Sequence, residues 1–345
     1  MTALPATPGQ ALAPDRDGGP PLPLRSAILG LGSHVPEDVL SNADLEALVD
    51  TSDRWILERT GVRERRRVGS GETASTLGAI AARRALADAG NPQVDAILFA
   101  TSSPDTLFPS SACLAQRELG LGGIMAMDVA AACSGFVYAL SLADAMIRVG
   151  TARTVLVIAG EAMTTLIDYK DRGTCVLFGD GAGAAVVGAA QPGGGGILAT
   201  RTGADGGDAD LIYYGPVEGQ SDDDAAVRMA GRGTFRVAVE RMTETAQKLC
   251  ADAGWTTGDI RMVFPHQANL RIVEAVAKRL DVGMERVYFN GDQYGNTSAA
   301  SIPIALDEAY RRGLLHAGDR LLFIAFGAGT TWGGAALEWS LDGPP

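Results

Sequence analysis

A chain of 345 residues that is 46% apolar can bury a core large enough for two domain-sized units. A formal charge of −12 argues against general nucleic-acid binding, and no apolar run reaches the length of a membrane span. Four cysteines are too few and scattered for a disulfide framework, and the first residues lack the basic and apolar regions of a secretory signal. Reduced thiols and a cytoplasmic location are therefore expected.

Residues 1–24 are rich in Pro, Ala, Gly and Asp and read as a disordered extension. A first strand is predicted over 26–32 and a short helix over 43–49, with Asn42 as N-cap. Trp55 and Arg59 lie four apart, so on a helix they share a face. The cluster Arg63, Arg65, Arg66 and Arg67 reads either as a solvated loop or as an anion site, with Trp55 as a stacking surface for a heterocycle. An alanine-rich helix over 73–89 and a strand over 94–100 follow, and a polar loop leads into another helix.

Residues 124–129 are an apolar run short enough for a buried strand. Small residues and Cys133 come next. A proline-free apolar stretch over 134–149, closed by Gly150, predicts a buried helix. A cysteine at the mouth of such a helix sits in the field of unpaired N–H groups, which lowers its pKa. The alternative is an inert packing cysteine.

A strand over 154–159 precedes a string of glycines, Gly179, Gly181 and Gly183. These are read as a tight turn between two strands, because the dinucleotide fingerprint would require a helix after them. Residues 191–196 suggest a hinge, and 205–224 a surface loop. A helix over 235–253 and a strand over 260–264 lead into Pro265-His266-Gln267-Ala268-Asn269. An amphipathic helix over 270–280 sets Arg271, Lys278 and Arg279 opposite Ile272, Val273, Val276 and Leu280. Asn296 precedes a helix over 299–312, and strands over 320–326 and 335–339 end the chain.

The two halves repeat. VDAILFA before a loop parallels IRMVF before PHQAN, and TVLVIAG parallels RLLFIAFG. The helices ending at Gly150 and Gly313 also correspond, with Cys133 and Asn296 equally far before those glycines. Two βαβ-type halves about a pseudo-twofold axis would bring Cys133, His266 and Asn296 to a shared centre.

Of three histidines, only His266 follows a buried strand. Cys with His suggests nucleophilic chemistry on an acyl group, either hydrolysis or acyl transfer. Hydrolysis needs His as a base toward water. A decarboxylating condensation instead needs two neutral donors on one thioester oxygen, which His266 and Asn296 could supply. No pair of Cys or His has zinc-ligand spacing.

The stretches DTSDRWILERTGVRERR, DVAAACSGF, DRGTCVLFGDGAGAA, PHQANLRI, GNTSAASIPIAL and FGAGTTWGGAAL, in that order, closely resemble β-ketoacyl-acyl-carrier-protein synthase III, over about residues 26–339. The resemblance implies an α/β, thiolase-like fold, with two pseudo-twofold-related βαβ-type halves in α-β-α-β-α layers. Residues 25–190 would carry the nucleophile, and 191–345 the His and Asn. It implies an acyltransferase that condenses a short acyl-CoA, acetyl-CoA first, with malonyl-ACP to start fatty-acid synthesis, without a cofactor. Cys133 matches the nucleophile, and His266 and Asn296 the decarboxylation pair. The Cys133 N–H, with one near Ala328, matches the oxyanion hole. Trp55, Arg59, Arg172, Ala268 and Asn269 match CoA-binding positions. Arg271, Lys278 and Arg279 match the face that docks the carrier protein. Phe108, reaching in from a partner subunit, and Phe326 match the primer pocket, so a homodimer is implied. GAGTT after Phe326 departs from a more glycine-rich family pattern and leaves primer preference open. The competing readings are a thiolase-fold enzyme of secondary metabolism with another primer or acceptor, and a non-catalytic carrier-protein scaffold.

Overall fold

Apolar runs buried on both faces make the central strands, and amphipathic runs make the covering helices. The computed structural model describes residues 25–343 apart from 218, 222 and 223; the expected N-terminal extension lies outside them. Strand β1 (Ser26–His34) comes first. A small ribbon follows, with β2 (Asp38–Ser41), α1 (Asn42–Glu46), α2 (Asp53–Thr60) and β3 (Glu64–Arg67). The first half continues through α3 (Ala74–Asp88), β4 (Ala96–Ala100), α4 (Ser111–Leu119) and β5 (Met125–Val129). It ends with α5 (Gly135–Arg148), β6 (Thr154–Ala162) and β7 (Asp180–Ala189). The second half holds β8 (Gly196–Ala204), the pair β9 (Ile212–Gly215) and β10 (Ala226–Met229), and α6 (Gly231–Ala253). Then come β11 (Met262–Pro265), α7 (Leu270–Leu280), α8 (Gly291–Tyr294), α9 (Ser301–Arg311), β12 (Arg320–Gly327) and β13 (Thr331–Glu338).

The large sheets have the orders β1-β7-β6-β4-β5 and β8-β13-β12-β11. In both, the first three strands run antiparallel to their neighbours and the fourth runs parallel to the third. A lone parallel bridge from Val263 to Val287 stands where β5 stands in the first sheet. Helices α5 and α9 fill the space between the sheets, while α3 covers the first sheet and α6 the second. The buried cluster around Phe136, Leu140, Phe264, Ile302 and Phe323 forms this middle layer. The result is the five-layer α-β-α-β-α arrangement the resemblance implied.

Three expectations are corrected. Helices α5 and α9 each follow a 3-10 turn, Ala132–Ser134 and Ser298–Ala300, whose first residue has positive φ (45° at Ala132, 47° at Ser298). The backbone thus matches Cys133 with Ala299, not Asn296. Counting back from the closing glycines misled because α5 has 14 residues and α9 only 11. The glycine string is not a turn between strands: Gly181 and Gly183 lie inside β7, with residues 174–178 in turns before it. They are glycines because α9 passes close by. A Cβ on Gly183 would stand 2.7 Å from that of Pro303, and one on Gly181 2.9 Å from Ile304 Cδ1. The arginine cluster is not a solvated loop: it runs into strand β3, and one of its members is withdrawn from solvent altogether. Arg65 on β3 is fully buried and donates to Leu40 O, Asn42 Oδ1 and Val176 O at 3.1, 2.9 and 2.7 Å. Burial lowers its pKa to about 10. Arg67 pairs with Asp38 at 2.8 Å.

Candidate active site

The chain between β5 and α5 turns sharply at Ala132, which presents Cys133 at the head of α5. Cys133 lines an inner cavity of about 130 Å³. The end of β12 meets it at Gly327, where a Cβ would stand 2.7 Å from Cys133 N. Glycine alone lets this strand approach so closely. Thr331 Oγ1 shares its one proton between Ala131 O (2.9 Å) and Ala328 O (3.1 Å), fastening the β12–β13 turn to the loop that carries Cys133. Ala328 lines the cavity beside Cys133. The expected lowering of the thiol pKa is reversed. Burial pushes Cys133 up to about 12, the charge of Glu161 adds to this, and a hydrogen bond from Ser298 opposes it. Desolvation of the thiolate outweighs the donors at the helix mouth.

His266 ends β11 and is 2% exposed. Its Nδ1 lies 2.8 Å from Ser301 Oγ, the first residue of α9. That hydroxyl accepts from Gln267 N at 3.3 Å, so its own hydrogen is free to point at Nδ1. With Ser301 donating to Nδ1, the ring proton sits on Nε2. Burial lowers the His266 pKa to about 3, so the ring is neutral. Asn296 is pinned by its backbone: its N donates to Leu177 O at 2.8 Å and its O accepts from Gly179 N at 3.1 Å. Its Oδ1 accepts from Ser298 N at 2.8 Å, which leaves the amide NH2 as the free end. Cys133, His266 and Asn296 line the same cavity, with Phe326 and Ala268.

An outer cavity is lined by Trp55, Arg59 and Arg271, and shares Leu177, Met229, Thr234, Asn269 and Ile272 with the inner one. Together they form a passage from the surface to Cys133. Asn269 also caps α7 through Ile272 N at 3.0 Å. The Arg172 guanidinium carbon lies 4.8 Å from the Trp55 ring centre, and that of Arg59 5.8 Å. A planar heterocycle between Trp55 and Arg172 needs about 7 Å, two layers of about 3.5 Å each. Arg172, held by Asp50 O at 2.9 Å, must swing aside to admit one. Arg271, Lys278 and Arg279 are all exposed on α7. Phe108 is 81% exposed and lines neither cavity of its own chain.

Sequence reasoning missed the apolar wall made by Met163, Leu166, Leu177, Phe178, Ile212 and Val227. Two of these belong to the β9–β10 pair, of which β9 lies in the stretch read as surface loop and β10 just after it. The signal was there in Ile212-Tyr213-Tyr214 and Ala226-Val227, β-prone runs amid glycines and aspartates. Among the described residues, no group of three His, Cys, Asp or Glu could hold a metal ion, and no helix is long and apolar enough to cross a membrane.

The family model for 3-oxoacyl-[acyl-carrier-protein (ACP)] synthase III matches residues 127–206, and that for its C-terminal part residues 250–339. The chain is 48% identical to a β-ketoacyl-[acyl-carrier-protein] synthase III of Rhizorhabdus wittichii, over 91% of this chain and 99% of that one. Among solved structures, 3-oxoacyl-(acyl carrier protein) synthase III from Pseudomonas aeruginosa PAO1 superposes with a TM-score of 0.88 at 42% identity, covering 93% of this chain and 100% of that one. The priming β-ketosynthase of the R1128 polyketide pathway gives a TM-score of 0.87 at 38% identity, covering 95% and 100%. Sequence identity over nearly the whole length and a shared five-layer fold agree: this chain belongs to the β-ketoacyl-acyl-carrier-protein synthase III family.

Proposed function

We propose that the chain is an acyltransferase that condenses a short acyl-CoA, acetyl-CoA first, with malonyl-ACP to give a 3-ketoacyl-ACP, CO2 and CoA. This is the initiating step of fatty-acid synthesis. Cys133 takes the acyl group from CoA. Malonyl-ACP then enters along the same passage. His266 Nε2–H and the Asn296 amide donate to its thioester oxygen while CO2 leaves, and the resulting carbanion attacks the acyl-cysteine. Loss of CO2 generates the carbanion, so the reaction needs no cofactor. The N–H groups of Cys133 and Ala328 take the oxyanion.

The observation that carries this reading is the hydrogen-bonded state of the pair. Ser301 holds His266 Nδ1 and Ser298 N holds Asn296 Oδ1, so both side chains present donors to the cavity. A hydrolase would need His266 as a base, and a neutral ring with its proton on Nε2 favours the donor role. Trp55, Arg59, Arg172, Ala268 and Asn269 serve CoA and the pantetheine arm. Arg271, Lys278 and Arg279 dock the acidic carrier protein.

A cytoplasmic homodimer completes the proposal. Strand β5 is a sheet edge with Met125 45% exposed, and Leu107 and Phe108 stand 90% and 81% exposed in a loop before it. Apolar side chains beside an unpaired edge favour a second copy, into whose primer pocket Phe108 would reach.

Asn296→Ala tests the assignment. Losing one oxyanion donor costs about 3–4 kcal/mol, or two to three decades in rate. Malonyl-ACP decarboxylation should fall by that factor while mass spectrometry still finds Cys133 acylated by acetyl-CoA. Equal loss of both steps would refute the roles.

A further inference from the structure

Gln267 follows His266 in the loop between β11 and α7 and is 2% exposed. Its side-chain amide has all four of its hydrogen bonds made. Nε2 donates to Pro265 O (2.8 Å) and Tyr288 O (3.1 Å), while Oε1 accepts from Asn290 N (3.2 Å) and Gly291 N (3.3 Å). Turned over, the amide would set its NH2 against two N–H groups and its oxygen against two carbonyls, so the network fixes its orientation. Its backbone N donates to Ser301 Oγ, the hydroxyl that partners His266 Nδ1. One buried residue therefore joins the end of β11, the segment 288–291 and the head of α9.

That segment leads to Asn296. Gly291 opens α8, Gly295 N donates to Gly291 O at 3.0 Å, and Asn296 comes next. Glu308 of α9 accepts from Tyr288 Oη (2.8 Å) and Asn290 Nδ2 (3.1 Å), so 288–290 is fixed to that helix as well. The pseudo-twofold counterpart of Gln267 is Thr101, by the offset that matches Ala132 with Ser298. The Thr101 hydroxyl bonds to Ser103 N and Glu161, both in its own half, and bridges no comparable segments. The amide clamp stands in the half that carries His266 and Asn296. We propose that Gln267 is a positioning residue for decarboxylation, setting the separation of His266 and Asn296 so that both donors meet on one thioester oxygen. This assignment rests on the reading of that pair as the decarboxylation donors. Gln267 lines neither cavity, so it acts through the two residues it places. Donors to an oxyanion must stand about 3 Å from it, and a misplacement of about 1 Å costs roughly a hundredfold in rate. A planar amide bonded at both ends to both segments holds that geometry by direction as well as distance.

The test compares Gln267→Met and Gln267→Glu with wild type, in the full chain. Methionine keeps the length and makes none of the four bonds. Glutamate keeps the shape but sets a carboxylate oxygen against Pro265 O and Tyr288 O. Decarboxylation of malonyl-ACP is measured with Cys133→Gln added, and acylation by acetyl-CoA in chains that retain Cys133. In Gln267→Met, kcat for decarboxylation should fall roughly ten- to a hundredfold, while KM for malonyl-ACP stays within about twofold and the acylation rate within about threefold. Gln267→Glu should lose more kcat still; the uncharged methionine variant keeps the test decisive if the glutamate variant does not fold. Wild-type decarboxylation in Gln267→Met, or equal loss of decarboxylation and acylation, would make the amide a packing element only and overturn the inference. Asn296→Ala, run alongside, separates the two readings: if it decarboxylates like wild type, the donor pair itself is overturned.

Discussion

At the residue scale, the chemistry turns on which proton sits where. Ser301 partners His266 Nδ1, and burial holds the ring pKa near 3. The folded chain therefore binds fewer protons at His266 than the unfolded chain between about 3 and 6.5. Its contribution to stability falls as pH drops below 6.5. In the same window the ring stays neutral in the folded enzyme. Malonyl-ACP decarboxylation by Cys133→Gln should thus show no inflection near 6.5, and one there would mean a protonatable His266. Ser301→Ala removes the Nδ1 partner and should slow decarboxylation roughly tenfold or more while sparing acylation. Cys133 shows how far a single residue's reading can go. Its place at a helix mouth was legible from small residues before an apolar run. The sign of its pKa shift was not, because desolvation comes from tertiary packing, in which β12, β13 and the turn before α9 close around the loop that holds it.

At the element scale, α7 shows a helix with two separate tasks. Its apolar stripe, Ile272, Val273, Val276 and Leu280, packs into the core with α6, and its periodicity made its bounds readable to the residue. Its exposed face places Arg271 at the rim of the outer cavity and Lys278 two turns further on. Arg271→Glu should raise the KM for malonyl-ACP several-fold, with an effect that shrinks in high salt, and leave malonyl-CoA decarboxylation unchanged. An unaltered KM would remove the docking role. Strand β3 is the opposite case. Four arginines within five residues looked like surface, yet Arg65 is a buried strut joining β2 to the 174–178 turn. Charge patterning fails there because the carbonyls that satisfy the guanidinium, Leu40 O and Val176 O, lie 25 and 111 residues away.

At the scale of the whole molecule, two sheets press α5 and α9 together so that both helix heads open on one point. This requires close approach, which Gly181 and Gly183 provide against Pro303 and Ile304. Gly183→Val should displace α9, and with it Ser298, Ser301 and Asn296. Overpacking of this kind costs about 1–3 kcal/mol, seen as a lower midpoint in denaturant. Decarboxylation should fall more than acylation, because α9 carries Ser301, the proposed support of His266, whereas Cys133, the proposed nucleophile, stands at the head of α5. Equal losses would show that the two helices move as one body.

The sequence alone determined the main strands and helices, the internal repeat and the family, and it singled out Cys133, His266 and Asn296 as candidates. These depend on local periodicity and on short motifs, which a linear chain displays openly. Only the tertiary structure decided the register of the repeat, the role of the glycine string and the burial of Arg65. It also decided the apolar wall from β9 and β10 and the closed Trp55–Arg172 stack. Each of those depends on segments brought together from distant parts of the chain, where desolvation and close packing set pKa, tautomer and allowed side-chain size.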